Sequence, residues 1–176
     1  MWCARGRSQL AQSIVEFAVS APVLILLLLG AFDASVMLSD KVIAGAACRQ
    51  GARLAAEIGG QITNPTLTTA SVDADIVKNV LAVANAMNYS SVTFIYIYQP
   101  LQSDGDYHSG DPYDLFDASG TNLHTGFPLS ARNQIPPNET PIGVRVEWNY
   151  GPPTGLPGFN LNLSEHAEFR ASPVLV

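Results

Sequence analysis

Glu16 is the only acidic residue among the first 32, and it stands at the onset of an uncharged run, residues 17–32, in which 24–29 are purely aliphatic. A carboxylate beside so apolar a stretch is costly in a low dielectric, so it demands a cation or a route to water. The chemistry it offers is charge pairing, and the bland alternative is snorkelling to a membrane interface. A second group of acids, Asp104, Asp106, Asp111, Asp114 and Asp117, is concentrated in one polar segment. Hard carboxylate oxygens of that kind suit calcium, and Asp104, Asp106 and Asp111 are the candidate ligands. Their spacing is not that of an EF-hand loop, and a solvated acidic segment is the stronger reading. His108, His124 and His166 are scattered, without metal-ligand spacing among them. Cys3 and Cys48 are too far apart for a metal motif and lie on opposite sides of the apolar run, which also rules out a disulfide between them. Cys48, in Ala46-Ala47-Cys48, reads as a small buried apolar residue.

No Gly-x-Ser-x-Gly, His-Glu-x-x-His or P-loop is present. No catalytic constellation is expected, and no cofactor or small-molecule substrate. The formal net charge is −6, with no Lys/Arg-rich block, which excludes a nucleic-acid-binding face.

The elements that position these residues follow from periodicity. Ser13 to Phe32 gives the roughly 20 mostly apolar residues that a membrane span needs, so 12–33 is the expected transmembrane helix. A secretory signal peptide competes, with Arg5 and Arg7 as its basic region. Against it stand Glu16, the length of the apolar run, and a helical pattern that continues without a turn signal until Gly59-Gly60. Val36, Ile43, Ala47, Leu54 and Ile58 share one helical face, with Lys41, Arg49 and Arg53 opposite. One helix from about Ser8 to Ile58 would be roughly 75 Å long, more than twice a hydrocarbon core of about 30 Å. Residues 34–58 therefore continue the helix and pack on a domain, although Gly45 and Gly51 weaken it. Asp33 marks the membrane boundary. Charge counting leaves the orientation undecided, since Arg5 and Arg7 precede the span and Lys41 and Arg49 follow it.

Residues 59–176 form the expected domain. Ser71 is placed as the cap of a second helix, with Asp73 and Asp75 in its first turn and an end near Asn88. Val92–Tyr98 reads as a central strand covered on both sides. Pro141–Tyr150 alternates, with Ile142, Val144, Val146, Trp148 and Tyr150 inward. A last strand over Asn162–Ala171 sends Leu163, Ala167 and Phe169 inward, and Arg145 and Glu147 could pair with Glu168 and Arg170. The stretch 99–141 is left as a long loop. The class is α+β, with a long N-terminal transmembrane helix, a second helix and a small antiparallel sheet of three or four strands.

Three stretches together carry a family resemblance. They are Ala11-Gln12-Ser13-Ile14-Val15-Glu16-Phe17-Ala18 with Pro22; Leu26 to Gly30 with Phe32-Asp33; and Ala46-Ala47-Cys48-Arg49-Gln50-Gly51-Ala52-Arg53. Over residues 8 to 58 the chain resembles the TadE-like proteins, pilin-like components of tight-adherence (Flp-type) pili. The resemblance implies a structural role as a minor pilin or pilin-like assembly factor. It implies anchorage in the cytoplasmic (inner) membrane by a single pass, with residues 59–176 extracytoplasmic or at the pilus surface. The partners implied are the membrane, other pilin-like subunits, the pilus assembly machinery and a prepilin-type peptidase. That peptidase would remove the leader 1–11. The glutamate is the fifth mature residue in the pilin pattern, so the cut falls between Ala11 and Gln12. Alanine stands where the pattern has glycine, and Gly6 is the alternative only if the glutamate spacing is given up. Cleavage would leave seven basic against fifteen acidic residues, −8. Glu16 would then neutralise the new α-amine of an adjacent subunit, and Pro22 would bend the helix. A different reading, drawn from the 99–141 stretch alone, is a bitopic binding or adhesion protein. A third is a secreted domain released near Ala31.

Overall fold

The computed structural model describes residues 5–60, 68–135, 137–155, 158 and 160–171, with side chains from residue 12 onward. Helix α1 is Arg5–Ile58 and helix α2 is Thr69–Ala84. The strands are β1 Ser90–Tyr98, β2 Tyr113–Asp117, β3 Asn122–Thr125, β4 Pro141–Tyr150 and β5 Leu161–Arg170, with one 3-10 turn at Leu129–Ala131. The five strands form one antiparallel sheet in the order β3-β2-β1-β4-β5. The α+β class and the central position of β1 are as expected. The stretch 99–141 is more than a loop, because it supplies β2 and β3. Their residues alternate too briefly to stand out among the surrounding Gly, Pro and Asp, and the sheet reaches five strands because of them.

The chain divides into two compact units, Met1–Val36 and Met37–Val176. In the first, the α1 side chains from Ile14 to Phe32 are largely exposed; Phe17 and Val19 are 69% and 70% accessible. Mean hydropathy over the most apolar stretch is 2.4, so the helix is long and apolar enough to cross a membrane. Pro22 lies inside this helix, which continues through it.

In the second unit the rest of α1 is buried on one side only. The seam consists of Ala44, Ala47, Cys48, Gly51, Ala52, Ala55 and Ala56. Of the expected stripe only Ala47 belongs to it; Ile43, Leu54 and Ile58 are half-buried at its margin, and Val36 falls in the first unit. Small side chains let the helix axis come close to the sheet and to α2. A Cβ at Gly51 would overlap Val80 Cγ2 and come within 3.3 Å of Val144 Cγ1. Cys48 Sγ donates to the Glu165 carbonyl at 3.1 Å, and burial pushes its thiol up to about 12, so it stays protonated and inert. Asp40, fully buried, accepts from the backbone N–H of Asn88 and Tyr89 (both 3.2 Å) and from Ser90 Oγ (2.7 Å), which ties α1 to the start of β1.

Helix α2 begins differently from expectation. Thr68 is the N-cap and Ser71 its reciprocal partner: Ser71 N donates to Thr68 Oγ1 at 3.2 Å and Thr68 N to Ser71 Oγ at 3.1 Å. Val72, Ile76, Val77 and Val80 face the sheet, opposite Ile95, Ile97, Phe116, Val144 and Val146. Glu165 on β5 is half-buried beside Leu163 and Ala167, where Lys41 meets it at 3.3 Å, and Phe169, on the same face of the strand opposite Ile142, stays 43% exposed. The proposed pairs on the outer face also change. The register sets Arg145 opposite His166 and Glu147 opposite Ser164, and Arg145 contacts Glu147 along its own strand at 3.1 Å.

The seam makes opposite predictions for two glycines of one helix. Gly51→Ala should lower the midpoint of denaturant unfolding of the full chain in detergent, by about 1–3 kcal/mol of overpacking. Gly45→Ala meets only the ends of flexible side chains, Arg49 at 3.4 Å and Glu165 at 4.0 Å, and should be neutral or stabilising by up to about 1 kcal/mol through helix propensity. Equal effects at the two positions would contradict the close approach at Gly51.

Candidate functional site

Two places gather the residues capable of chemistry. The first is the start of the apolar helix. Glu16 is exposed, and its side-chain contact is Gln12 Nε2, one turn earlier at 3.4 Å. Ser20 Oγ donates to the Glu16 carbonyl at 2.8 Å, which fixes Ser20 on the same helix surface. Among the described residues no basic side chain lies against Glu16. An exposed carboxylate followed by sixteen uncharged residues presents a charge that the described helix residues after it do not neutralise. Ala11 and Gln12 both lie within helical backbone; the side chain of Ala11 is outside the described residues, as is Cys3. Asp33, at the other end of the uncharged run, is 1% exposed.

The second place is the 99–141 stretch, whose halves cover opposite faces of the sheet. Residues 99–112 lie over the face away from the helices. Tyr107 packs against Tyr96, Tyr98 and Tyr113 with ring centroids 5.0–5.7 Å apart, and His124 stacks on Tyr113 at 4.6 Å. Tyr98 is fully buried; its hydroxyl donates to the Gly105 carbonyl at 2.6 Å, and its ring fills the space that a side chain at Gly143 would take. Burial raises the Tyr98 phenol above its ordinary range, so it remains a donor.

The three calcium candidates have protein partners here. Asp106 Oδ1 meets Arg145 Nη1 at 2.9 Å and the Tyr107 N–H at 2.7 Å, with His166 Nδ1 at 3.5 Å. Asp111 Oδ2 accepts from the His108 N–H at 2.8 Å. Asp104 faces His108 Nε2 at 3.3 Å. Among the described residues no three His, Cys, Asp or Glu side chains gather to hold a metal ion. The histidines are likewise kept apart, each with its own acidic or aromatic neighbour.

The other half of the stretch carries a buried group that the sequence did not single out. Arg132 is 0% exposed, and its guanidinium meets both oxygens of Asp73 on α2, at 2.7 and 3.1 Å, and Asp114 Oδ2 on β2, at 2.8 Å. It also donates to the Phe127 carbonyl, at 2.7 Å from Nη2, and lies over the Phe127 ring at 4.6 Å. Asp114 Oδ1 accepts from the Gly126 and Phe127 N–H groups at 2.7 and 2.9 Å. Asp73 therefore serves a buried ion group, not the dipole of its helix. Asp73 and Arg132 are 59 residues apart, and no local spacing announces the pairing. The one available signal was an Asp at a position where the helical period calls for an apolar residue.

Two carboxylates share one guanidinium, which leaves an excess negative charge in a dry site. Burial pushes Asp73 up from 3.8 to about 7, with Arg132 opposing and Asp114 adding to the rise. Over that interval the folded carboxyl holds a proton that the unfolded one has lost. Stability is then greatest below the unfolded value and falls as pH climbs from near 4 through about 7. Asp73→Asn should flatten that decline in denaturant midpoints measured between pH 5 and 7.5, and identical slopes in the two proteins would refute it. Arg132→Met, which strands two buried carboxylates, should cost about 3–5 kcal/mol at neutral pH.

The functional bearing of the first place rests on comparison. Residues 11–53 match the family model described as TadE-like protein. Neither a curated protein nor a solved structure matches the chain. The match takes in Glu16, Pro22, the apolar run and the Arg49–Arg53 segment, and it covers about a quarter of the chain. Over that quarter, residues 11–53, the sequence is similar to the TadE-like family.

Proposed function

We propose that this protein is a minor pilin or pilin-like assembly factor of a tight-adherence type IV pilus, with a structural role and no catalytic one. The observation that carries the reading is a carboxylate, Glu16, exposed at the start of an exposed apolar helix within the TadE-like segment. Among the described residues neither the charge nor the apolar surface finds a cover. A lipid bilayer takes the surface, and a cation from a neighbouring subunit takes the charge.

In this reading a prepilin-type peptidase cuts between Ala11 and Gln12. The new α-amine stands four residues from Glu16, and the Glu16 of one subunit neutralises the amine of the next. Pro22 removes one backbone hydrogen bond and gives the span a point of bending. The helix anchors the chain once in the inner membrane, with the sheet domain on the extracytoplasmic side. Other pilin-like subunits and the assembly machinery are its partners.

The mature N-terminus tests this directly. Protein purified from membranes of cells that make the pilus should begin at Gln12. A chain beginning at Met1, or after the whole apolar run, removes the proposal's basis. Glu16→Ala should insert in the membrane to the wild-type level yet fail to support pilus assembly, whereas Glu16→Asp should retain part of it.

A further inference from the structure

Four large apolar or aromatic side chains are exposed together at one end of the sheet domain. Leu38 and Val42, one turn apart on α1, are 60% and 61% accessible; Tyr89 is 46% and Leu161 37%. The register groups the sheet residues, since Ser90, next to Tyr89, is opposite Tyr150, and Tyr150 is opposite Leu161. Asp40 brings α1 to the same end through its bonds to Asn88, Tyr89 and Ser90, and the Gly151 N–H donates to the Tyr89 carbonyl at 2.9 Å.

The charge pattern of this end differs from the rest of the domain. Residues 85–92 and 149–163 contain no Asp, Glu, Lys or Arg, in a chain of net charge −6. Asp40, the acid that reaches this end, is fully buried by its three hydrogen bonds. Lys41 stands between Leu38 and Val42 with its side chain 56% exposed, its ammonium 3.3 Å from Glu165. The opposite end of the sheet, where Tyr98 faces Tyr113 and Pro141 faces Arg170, bears Asp104, Asp106, Asp111, Glu139 and Glu168 in or beside its connections.

We infer that this uncharged end, with Leu38, Val42, Tyr89 and Leu161, rests in the headgroup layer of the bilayer. Three arguments select lipid as the occupant. The first is reach. Residues 12–33 as a helix cover about 33 Å, the depth of a hydrocarbon core of about 30 Å, so the chain leaves the core near Asp33. The apolar pattern resumes with Val36, Met37 and Leu38. Leu38 follows Phe32 by six residues, at most about 20 Å of chain, so it lies close to the bilayer whatever the direction of the helix. The second is side-chain type. Tyrosine with aliphatic neighbours and a flanking lysine is the composition that partitions to the interface. The third is charge. A bilayer surface bearing anionic lipid repels carboxylates; among the described residues the one beside this end, Glu165, is 25% exposed and paired with Lys41 at 3.3 Å, whereas the far end carries several. The inference rests on the reading of 12–33 as a membrane span.

The full chain, with Cys3→Ser and Cys48→Ala as background, would carry one environment-sensitive fluorophore at a time, on Leu38→Cys, Val42→Cys, Tyr89→Cys or Leu161→Cys. Leu26→Cys serves as the mid-span reference. Leu101→Cys and Ile135→Cys, exposed apolar sites outside the uncharged end, serve as solvent references. In phosphatidylcholine–phosphatidylglycerol vesicles containing lipids spin-labelled near the headgroup, labels at 38, 89 and 161 should be quenched several-fold more than labels at 101 and 135. Val42 should be intermediate, and all four should emit further to the blue than the solvent references. Quenching at 38, 89 and 161 equal to that at 101 and 135, with Leu26 still quenched by deep spin labels, overturns the surface contact and leaves the span intact. A blue shift without lipid quenching also overturns it, since a protein then covers the patch. Loss of quenching at Leu26 as well removes the span itself. Because the four positions are independent and exposed, misfolding of one variant leaves the other three to decide.

Discussion

The approach of α1 to the sheet at Gly51 is the constraint on which the rest of the domain depends. A helix packed on a sheet with large side chains stands about 10 Å off it. Here the contact is made through alanines, Cys48 and a glycine whose missing Cβ leaves room for Val80 and Val144. Close approach brings α2 and β4 against the same short segment of helix, so that a small sheet and two helices enclose a core of Ile76, Val80, Ile95, Ile97, Val144 and Trp148. It also sets the polar contacts along the helix. Cys48 can reach a β5 carbonyl, Lys41 can reach Glu165, and Asp40 can cap the start of β1, only because the backbone lies this near. One helical segment thereby docks by van der Waals packing at its centre and by hydrogen bonds towards its beginning.

The buried Arg132 group solves a different problem. The stretch 99–141 has few large apolar side chains with which to hold itself down. Its first half is held by aromatic stacking on the outer face of the sheet. Its second half is held by a guanidinium that reaches α2, β2 and the Phe127 carbonyl at once. Such a group contributes little net stability compared with an apolar core of the same volume. It does restrict where the segment can sit, because any other placement strands a charge. Its excess acid makes the hold dependent on protonation, which a purely apolar contact would not be.

How far the sequence could be read varied with how local the determining physics was. The apolar run, the long helix, the alternation of β4 and the central place of β1 depend on period and composition within a few residues, and each was legible. The inward set Ile142, Val144, Val146, Trp148 and Tyr150 is buried in full. The seam of α1 was misjudged because large aliphatics were weighted over small residues, whereas close helix–sheet packing selects the small ones. Ser71 was placed as a cap when Thr68 holds that position, since either hydroxyl suits an N-cap and only the backbone separates N-cap from N3. Arg132 with Asp73 and Asp114, and Asp40 with Asn88 to Ser90, join residues tens of positions apart, and no pattern in the chain marks such pairs. Glu16 was conspicuous for the opposite reason: it is a lone acid at the edge of an uncharged run.

That contrast separates two kinds of charge in this molecule. Asp40, Asp73, Asp114 and Arg132 are buried and fully engaged, and they serve the fold. Glu16 is exposed on an apolar helix with Gln12 as its side-chain contact. A chain that satisfies its buried acids this thoroughly gains nothing in folding from a carboxylate placed there. In water it would be ordinary; beside lipid it raises the energy of the isolated subunit and lowers it again when a cation arrives. The same argument applies to the exposed apolar helix surface around it, which costs free energy until lipid or another helix covers it. Both features are thus set apart from the buried charges, which the folded domain satisfies from within.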